Sequence, residues 1–247
     1  MSVAVGNDVV DLNRDRTKGR ASDERFIERI FSVHEQQAIA NSDDADLELW
    51  SHWAAKEAGF KAISKVVSPP PPFVHRAFRV SWSKATSLSE TAVGSVIRVG
   101  TVNYHGLDAE VTVSLWPGRV HAVAYAQAPH KLGVVQIQTR VELLDNFGSC
   151  WAGSFQELKS RLSARESDAV YSRESAAVRV GARQDLAVLL GVEEKRLEIV
   201  CGRSAAGKRP PRVFIDGDPA NADVSLSHDG RWIAWVVWAD NVPGGNS

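Results

Sequence analysis

Trp53-Ala54-Ala55-Lys56-Glu57-Ala58-Gly59-Phe60-Lys61 is the stretch on which the reading of this chain turns. It lies inside a helix-like run over residues 47–66. At the helical period of about 100° per residue, Trp50, Trp53, Ala54, Glu57 and Lys61 share one face. That face carries the apolar stripe and is expected to turn inward. An acid and an amine there need a reason, because unpaired buried charge is costly. An i,i+4 Glu–Lys pair is one reason, contributing roughly 0.2–0.5 kcal/mol. A metal or phosphate site is the other.

A second acid bears on the choice. The chain opens Val3-Ala4-Val5-Gly6-Asn7-Asp8-Val9-Val10-Asp11-Leu12, a short apolar run that reads as a strand. Asp8 interrupts it two residues after Gly6, a residue type that admits close backbone approach. By itself Asp8 reads as a turn acid at a strand end. Two inward-facing carboxylates on packed elements would suit a hard cation such as Mg2+, which takes one or two carboxylates together with phosphates and water.

Composition sets the frame. The 247 residues suffice for one large domain or two small ones, and 44% hydrophobic with 24% charged residues is ordinary for a globular protein. A net charge of −1 gives no general attraction to nucleic acid. No run of 18 apolar residues and no signal-peptide core are present, so neither a membrane span nor export is expected. Cys150 and Cys201 form no CxxC pattern and read as free thiols in a reducing cytoplasm, without a zinc site. The His residues are scattered without metal-ligand spacing.

The chain repeats itself with decay. The segment 133–144 parallels the opening strand and puts Arg140 where Asp8 stands. Ser163-Ala164-Arg165-Glu166 parallels Ser32-Val33-His34-Glu35, and both are S-x-x-E capping boxes that start a helix. Val113-Ser114-Leu115-Trp116 parallels Val224-Ser225-Leu226-Ser227. Each half reads strand, helix, helix, strands, which makes the fold class α+β, with a small antiparallel sheet packed with helices in each half. The expected halves are 1–128 and 129–247, joined near 126–131. Strands are expected at 78–82, 96–102 and 110–126, then near 197–200, 212–214, 224–226 and 232–238. Helices are expected at 163–171 and 174–190, with Gly191 as the stop. The prolines at 69–72 should form an extended loop, and the tail at 242–247 is expected to be disordered.

Taken in order, these motifs resemble the 4'-phosphopantetheinyl transferases. The pattern is G-x-D on a strand, R-F…R-x-[FL]-[ST]-x-x-E at a helix start, then W-x-x-K-E-A-x-x-K. Here it stands as Gly6-Asn7-Asp8, Arg25-Phe26 with Arg29 to Glu35, and Trp53 to Lys61. Later, Gly207-Lys208-Arg209-Pro210 and Val224 to Trp232 resemble the family's G-K-P and S-H-S-G-R-W segments. The resemblance spans nearly the whole chain and is weak around 68–109 and 145–157.

The resemblance implies two pseudo-symmetric transferase-like halves, as in surfactin-type enzymes or two fused protomers of the small holo-acyl-carrier-protein synthases. The G-K-P half comes second, as in the small synthases. It implies transfer of phosphopantetheine from coenzyme A to a serine of an apo acyl or peptidyl carrier protein, with release of 3',5'-ADP. Asp8 and Glu57 would bind Mg2+, Glu57 could help remove the serine proton, and Lys61 would contact the pyrophosphate. Lys208, Ser227 and His228 are expected at the coenzyme, with Arg179 and Arg183 in a helix resembling the family's coenzyme-binding region. Lys56 lies about 100° from Glu57 on the helix and is expected either at a coenzyme phosphate or in a structural role. Surfactin-type members often have a third acid where this chain has Val10, so the two-acid site of the small synthases is the closer match. Since half one keeps Asp8, Glu57 and Lys61 and half two keeps Ser227 and His228, one site per chain is expected, in a monomeric pseudo-dimer. The basic segment Asn13 to Arg20 could steer an acidic carrier protein. A degenerate member that binds coenzyme A or the carrier without catalysis is the alternative.

Overall fold

The computed structural model describes residues 3–83, 96–126, 136–146, 148–204 and 207–239. The expected linker beyond Ala126 and the expected tail at 242–247 lie outside the described residues. The chain forms two compact units, Met1–Ala128 and Pro129–Ser247. Each has its own apolar core.

The first unit begins with β1 (Ala4–Asp11). Two 3-10 turns lead to α1 (Glu24–Ile30), α2 (Val33–Ala40) and the long α3 (Ala45–Val66). Then follow β2 (Arg79–Trp82), β3 (Val96–Tyr104), β4 (Leu107–Trp116) and β5 (Arg119–Ala126). They form one antiparallel sheet in the order β1-β5-β4-β3-β2, and α3 packs against β1, β5 and β4. The strand-forming run at 110–126 is a hairpin. Its turn is Pro117-Gly118, with Gly118 at φ 82°, a backbone region that a residue with a Cβ enters only at a cost.

Local chemistry explains where α3 begins and ends. The Asp44 side chain accepts the Leu47 N–H at 3.0 Å and caps the first turn. Asp46 and Glu48 in the first turn and Lys65 in the last suit the helix dipole. The helix stops at Val66, before the prolines at 69–72. Its position on the sheet is set by small residues. A Cβ on Gly6 would lie 2.0 Å from the Ala58 carbonyl oxygen, and one on Gly59 would lie 2.6 Å from Val102 Cγ1. The helix therefore rests almost on the β1 backbone. Because side chains alternate along a strand, Asp8 shares the face of Gly6 and points to the same helix.

The second unit is built from β6 (Gln136–Leu143), α4 (Phe155–Ser160), α5 (Ala164–Ser167), α6 (Arg173–Leu190), β7 (Leu197–Ser204), β8 (Gly207–Ile215), β9 (Asp218–Pro219), β10 (Ala222–Asp229) and β11 (Trp232–Ala239). It repeats the topology of the first, with β6, β11 and β10 in the places of β1, β5 and β4, and α6 in the place of α3. Here the ladder is split into β10-β11-β6 and β7-β8-β9, with β8 packed beside β10. Pro210 and Pro211 in β8 have no N–H to give, and the β7–β8 register shifts between Cys201 and Arg203. A Cβ on Gly181 would lie 2.6 Å from the Trp235 ring, so α6 also approaches its sheet through a glycine. The helix expected at 163–171 is shorter, since α5 ends at Ser167; α4, capped by Ser154 and Glu157, falls in the stretch where the motifs were weak. No helix among the described residues is long and apolar enough to cross a membrane.

Candidate active site

The contact between α3 and β1 brings three expected residues together. Lys61 Nζ donates to the Asn7 carbonyl oxygen at 2.8 Å and to Asp8 Oδ1 at 3.0 Å. The Asp8 side chain is 12% exposed and that of Lys61 26%, so the pair is partly open to solvent rather than sealed inside the core. Glu57 lies one helical turn before Lys61 and is partly buried. Burial first, and the neighbouring Asp8 carboxylate second, push its pKa up to about 7, against the lowering effect of Lys61. With both acids ionised, the three side chains carry one net negative charge. Two oxygen-donor carboxylates held close in spite of their repulsion fit a hard divalent cation and leave coordination positions for phosphate and water. Among the described residues no group of three or more His, Cys, Asp and Glu comes together. Val10, at the position of a third acid, lies in the apolar core.

The raised pKa of Glu57 is a statement about stability. The folded state disfavours the ionised form, so the penalty is absent below the ordinary value of 4.5, grows as pH rises, and is complete above about 7. Glu57→Gln should therefore melt higher than the parent at pH 8 in the presence of a chelator. The two should melt together at pH 4. Equal melting temperatures at pH 8 would contradict the raised pKa that burial and the Asp8 carboxylate give Glu57.

Of the two roles expected for Lys56 the structure shows the structural one, which corrects its placement at the coenzyme. Its side chain is 0% exposed, and Nζ lies 2.8 Å from each Glu35 carboxylate oxygen. It also donates to the carbonyls of His75, at 3.3 Å, and of Phe78. Glu35 in turn accepts the N–H of Ser32 at 2.7 Å and of Val80 at 2.8 Å. Burial alone would raise Glu35, but Lys56 and these two N–H donors hold it below its usual value. Burial lowers the Lys56 pKa, and Glu35 offsets part of that effect. The first residue of K-E-A is thus a tie between α3, α2 and the start of β2.

The second unit contains the same tie. Glu166 accepts the N–H of Ser163 at 3.0 Å and of Ile199 at 2.8 Å, and it pairs with Arg183 at 3.2 Å. Arg183 also donates to the carbonyls of Arg161 and Glu194. Arg179, 2% exposed, is spent on Ser175 and on Cys201 Sγ. Both arginines are folded into the unit's interior, which corrects their assignment to the coenzyme. Where Asp8 stands in the first unit, Arg140 pairs with the buried Asp185 at 2.9 Å, and Trp235 Nε1 donates to the same carboxylate at 2.8 Å. An ion pair between a half-exposed arginine and a buried acid stands in this position.

His228 is exposed on β10, whereas Ser227, its neighbour on the opposite strand face, is buried. Lys208 lies in β8, and its side chain is outside the described residues. Glu174, at the start of α6, is held below the usual carboxylate range mainly by its own backbone N–H, with smaller contributions from Ser172 and His228. The basic segment after β1 is pinned. Trp50 Nε1 donates to the Thr17 carbonyl at 2.7 Å, and the Asp46 carboxylate accepts the N–H groups of Gly19 and Ala21. Arg14, Arg16 and Lys18 face solvent. Asp11 accepts the Asn13 N–H at 3.1 Å and closes the strand.

A model of the 4'-phosphopantetheinyl transferase superfamily matches residues 4–122. A holo-[acyl-carrier-protein] synthase of Rhodopirellula baltica is 30% identical over 132 residues, which are 50% of this chain and 94% of that protein. The chain belongs to the 4'-phosphopantetheinyl transferase superfamily. Another holo-[acyl-carrier-protein] synthase, from Azoarcus sp., is 39% identical over 66 residues, 27% of this chain and 53% of that one. The crystal structure of the Thermotoga maritima holo-[acyl-carrier-protein] synthase aligns at 19% identity with a TM-score of 0.38, covering 56% of this chain and 70% of that one. The superfamily match contains Asp8, Glu57 and Lys61. Four further residues, Glu35, His75, Glu166 and Asp185, were not singled out as site or structural partners from sequence. Glu35 and Glu166 are visible in the sequence as capping-box acids but not as partners of Lys56 and Arg183, and nothing local distinguishes the other two.

Proposed function

We infer that this chain transfers 4'-phosphopantetheine from coenzyme A to a serine of an apo carrier protein and releases 3',5'-ADP. The observation that carries the inference is the meeting of Asp8, Glu57 and Lys61 where α3 touches β1, within the segment that matches the superfamily. The serine oxygen forms a bond to the pantetheine-side phosphorus, and the bond from that phosphorus to the bridging oxygen breaks. Asp8 and Glu57 would hold a Mg2+ ion, which when bound neutralises charge on the pyrophosphate. Glu57 would also help accept the serine proton, directly or through water. Lys61, anchored by the Asn7 carbonyl, presents its ammonium group to the departing phosphate.

The exposed Arg14, Arg16 and Lys18 give an acidic carrier a surface of opposite charge beside the strand that bears Asp8. Two free thiols, Cys150 and Cys201, suit a reducing compartment, and we place the reaction in the cytoplasm. We assign the chain as a monomer with one coenzyme site, because only its first unit retains the acids. Incubation with apo carrier, coenzyme A and Mg2+ should release one 3',5'-ADP per carrier consumed, and a chelator should stop it. Coenzyme A binding without 3',5'-ADP release would instead identify a member that binds without turnover.

His228 belongs to the proposal as a contact for coenzyme phosphate. Losing a hydrogen bond to a charged group weakens binding by about 1.5–3 kcal/mol, or roughly 10- to 150-fold. His228→Ala should weaken coenzyme A by that factor and dephospho-coenzyme A by less, as measured by calorimetry. Equal weakening would move the contact from the 3'-phosphate to the pyrophosphate, and no weakening would remove His228 from the site.

A further inference from the structure

Three observations meet at His75. Its ring packs against Trp53 and Phe73, with centroids 4.5 and 4.1 Å away. Trp53 lies one helical turn before Glu57 on α3, so this packing sets the imidazole beside that carboxylate. His75 Nε2 is buried, has no hydrogen bond among the described residues, and stands 3.9 Å from Glu57 Oε1. The His75 carbonyl accepts from Lys56, so the buried Glu35–Lys56 tie fixes the backbone that carries the ring.

A buried ring nitrogen without a partner is costly. A separation of 3.9 Å exceeds hydrogen-bond range, about 2.7–3.2 Å, by an amount that a small turn of the Glu57 side chain closes.

We propose that His75 is a positioning residue for Glu57: its Nε2–H donates to one carboxylate oxygen and turns the other toward Asp8 to receive the cation. The proposal rests on the metal reading given above. Outer partners of ligating groups fix ligand orientation, and their removal commonly costs 10–100-fold in metal affinity or activity. His75 occupies that place here. Its sequence position, in Phe73-Val74-His75-Arg76, shows no metal-ligand spacing because it acts through Glu57 rather than on the metal.

The test uses Mn2+ as the probe, with binding followed by electron paramagnetic resonance and turnover followed against Mg2+ concentration. His75→Phe keeps the ring packing and removes the donor. It should bind Mn2+ 10–100-fold more weakly, with the Mg2+ requirement raised by the same factor. His75→Gln places an amide N–H near the Nε2 position and should recover most of the loss, whereas His75→Asn, one methylene shorter, should not. These two variants decide the matter if His75→Phe does not fold. Parent-like Mn2+ affinity in His75→Phe, or equal affinity in the Gln and Asn variants, would overturn the proposal. Mn2+ binding that survives Glu57→Gln unchanged would overturn the metal reading itself, and the proposal with it.

Discussion

Glu57→Ala and Asp8→Ala should each lower turnover by at least ~100-fold at saturating Mg2+, since removing even an outer partner of a metal ligand costs 10–100-fold. A 100-fold loss corresponds to ~2.7 kcal/mol of transition-state stabilisation. The fold should survive both changes. Asp8 sits at the α3–β1 contact, but Gly6, Ala58 and Ala62 make the packing. Glu57 is disfavoured in its ionised form, so its removal relieves the folded state at neutral pH. Lys61 keeps its bond to the Asn7 carbonyl in either variant. Near-normal turnover with an intact melting curve in either variant would remove that acid from the chemistry.

Lys56→Met should have its large effect on stability. Breaking a buried ion pair by deleting one partner costs about 3–5 kcal/mol, because the other charge is left desolvated. Glu35 would be that charge, 1% exposed and still bound to two backbone N–H groups. Denaturant unfolding of the intact chain should show the first unit's transition moved by this amount. If Lys56 instead served a coenzyme phosphate, the unfolding curve would be unchanged and the KM for coenzyme A would rise. The two outcomes separate a structural tie from a binding residue.

The contrast between Lys56 and Glu57 shows what the sequence makes legible. Helical periodicity marks α3 and puts Glu57 and Lys61 on a common face, and an interrupted apolar run marks β1 and Asp8. Those signals are local, and the structure bears them out as elements. The direction of Lys56 is not local. Whether an amine one position from Glu57 meets a ligand or a buried acid depends on Glu35 and on carbonyls near residue 78, fixed only once the sheet forms. Arg183 illustrates the same point, as a basic helix residue whose partner Glu166 is known to be buried only from the fold. The two capping boxes were visible as helix starts. Their second task, accepting the N–H of Val80 and of Ile199, spans more than thirty residues of chain and leaves no trace in the motif. The strand expected near 212–214 begins earlier, at Gly207, and takes in Pro210 and Pro211, which have no N–H to give, beside the point where the ladder shifts register.

The central claim is that this chain moves phosphopantetheine onto a carrier serine using Asp8, Glu57 and Lys61. The intact mass of an apo carrier protein, taken after incubation with the enzyme, coenzyme A and Mg2+, tests it most directly. A gain of one phosphopantetheine unit is expected, absent when the carrier serine is replaced by alanine and strongly reduced with Glu57→Ala enzyme. An unchanged carrier mass, across carriers of acyl and peptidyl type and with coenzyme A binding intact, would contradict it.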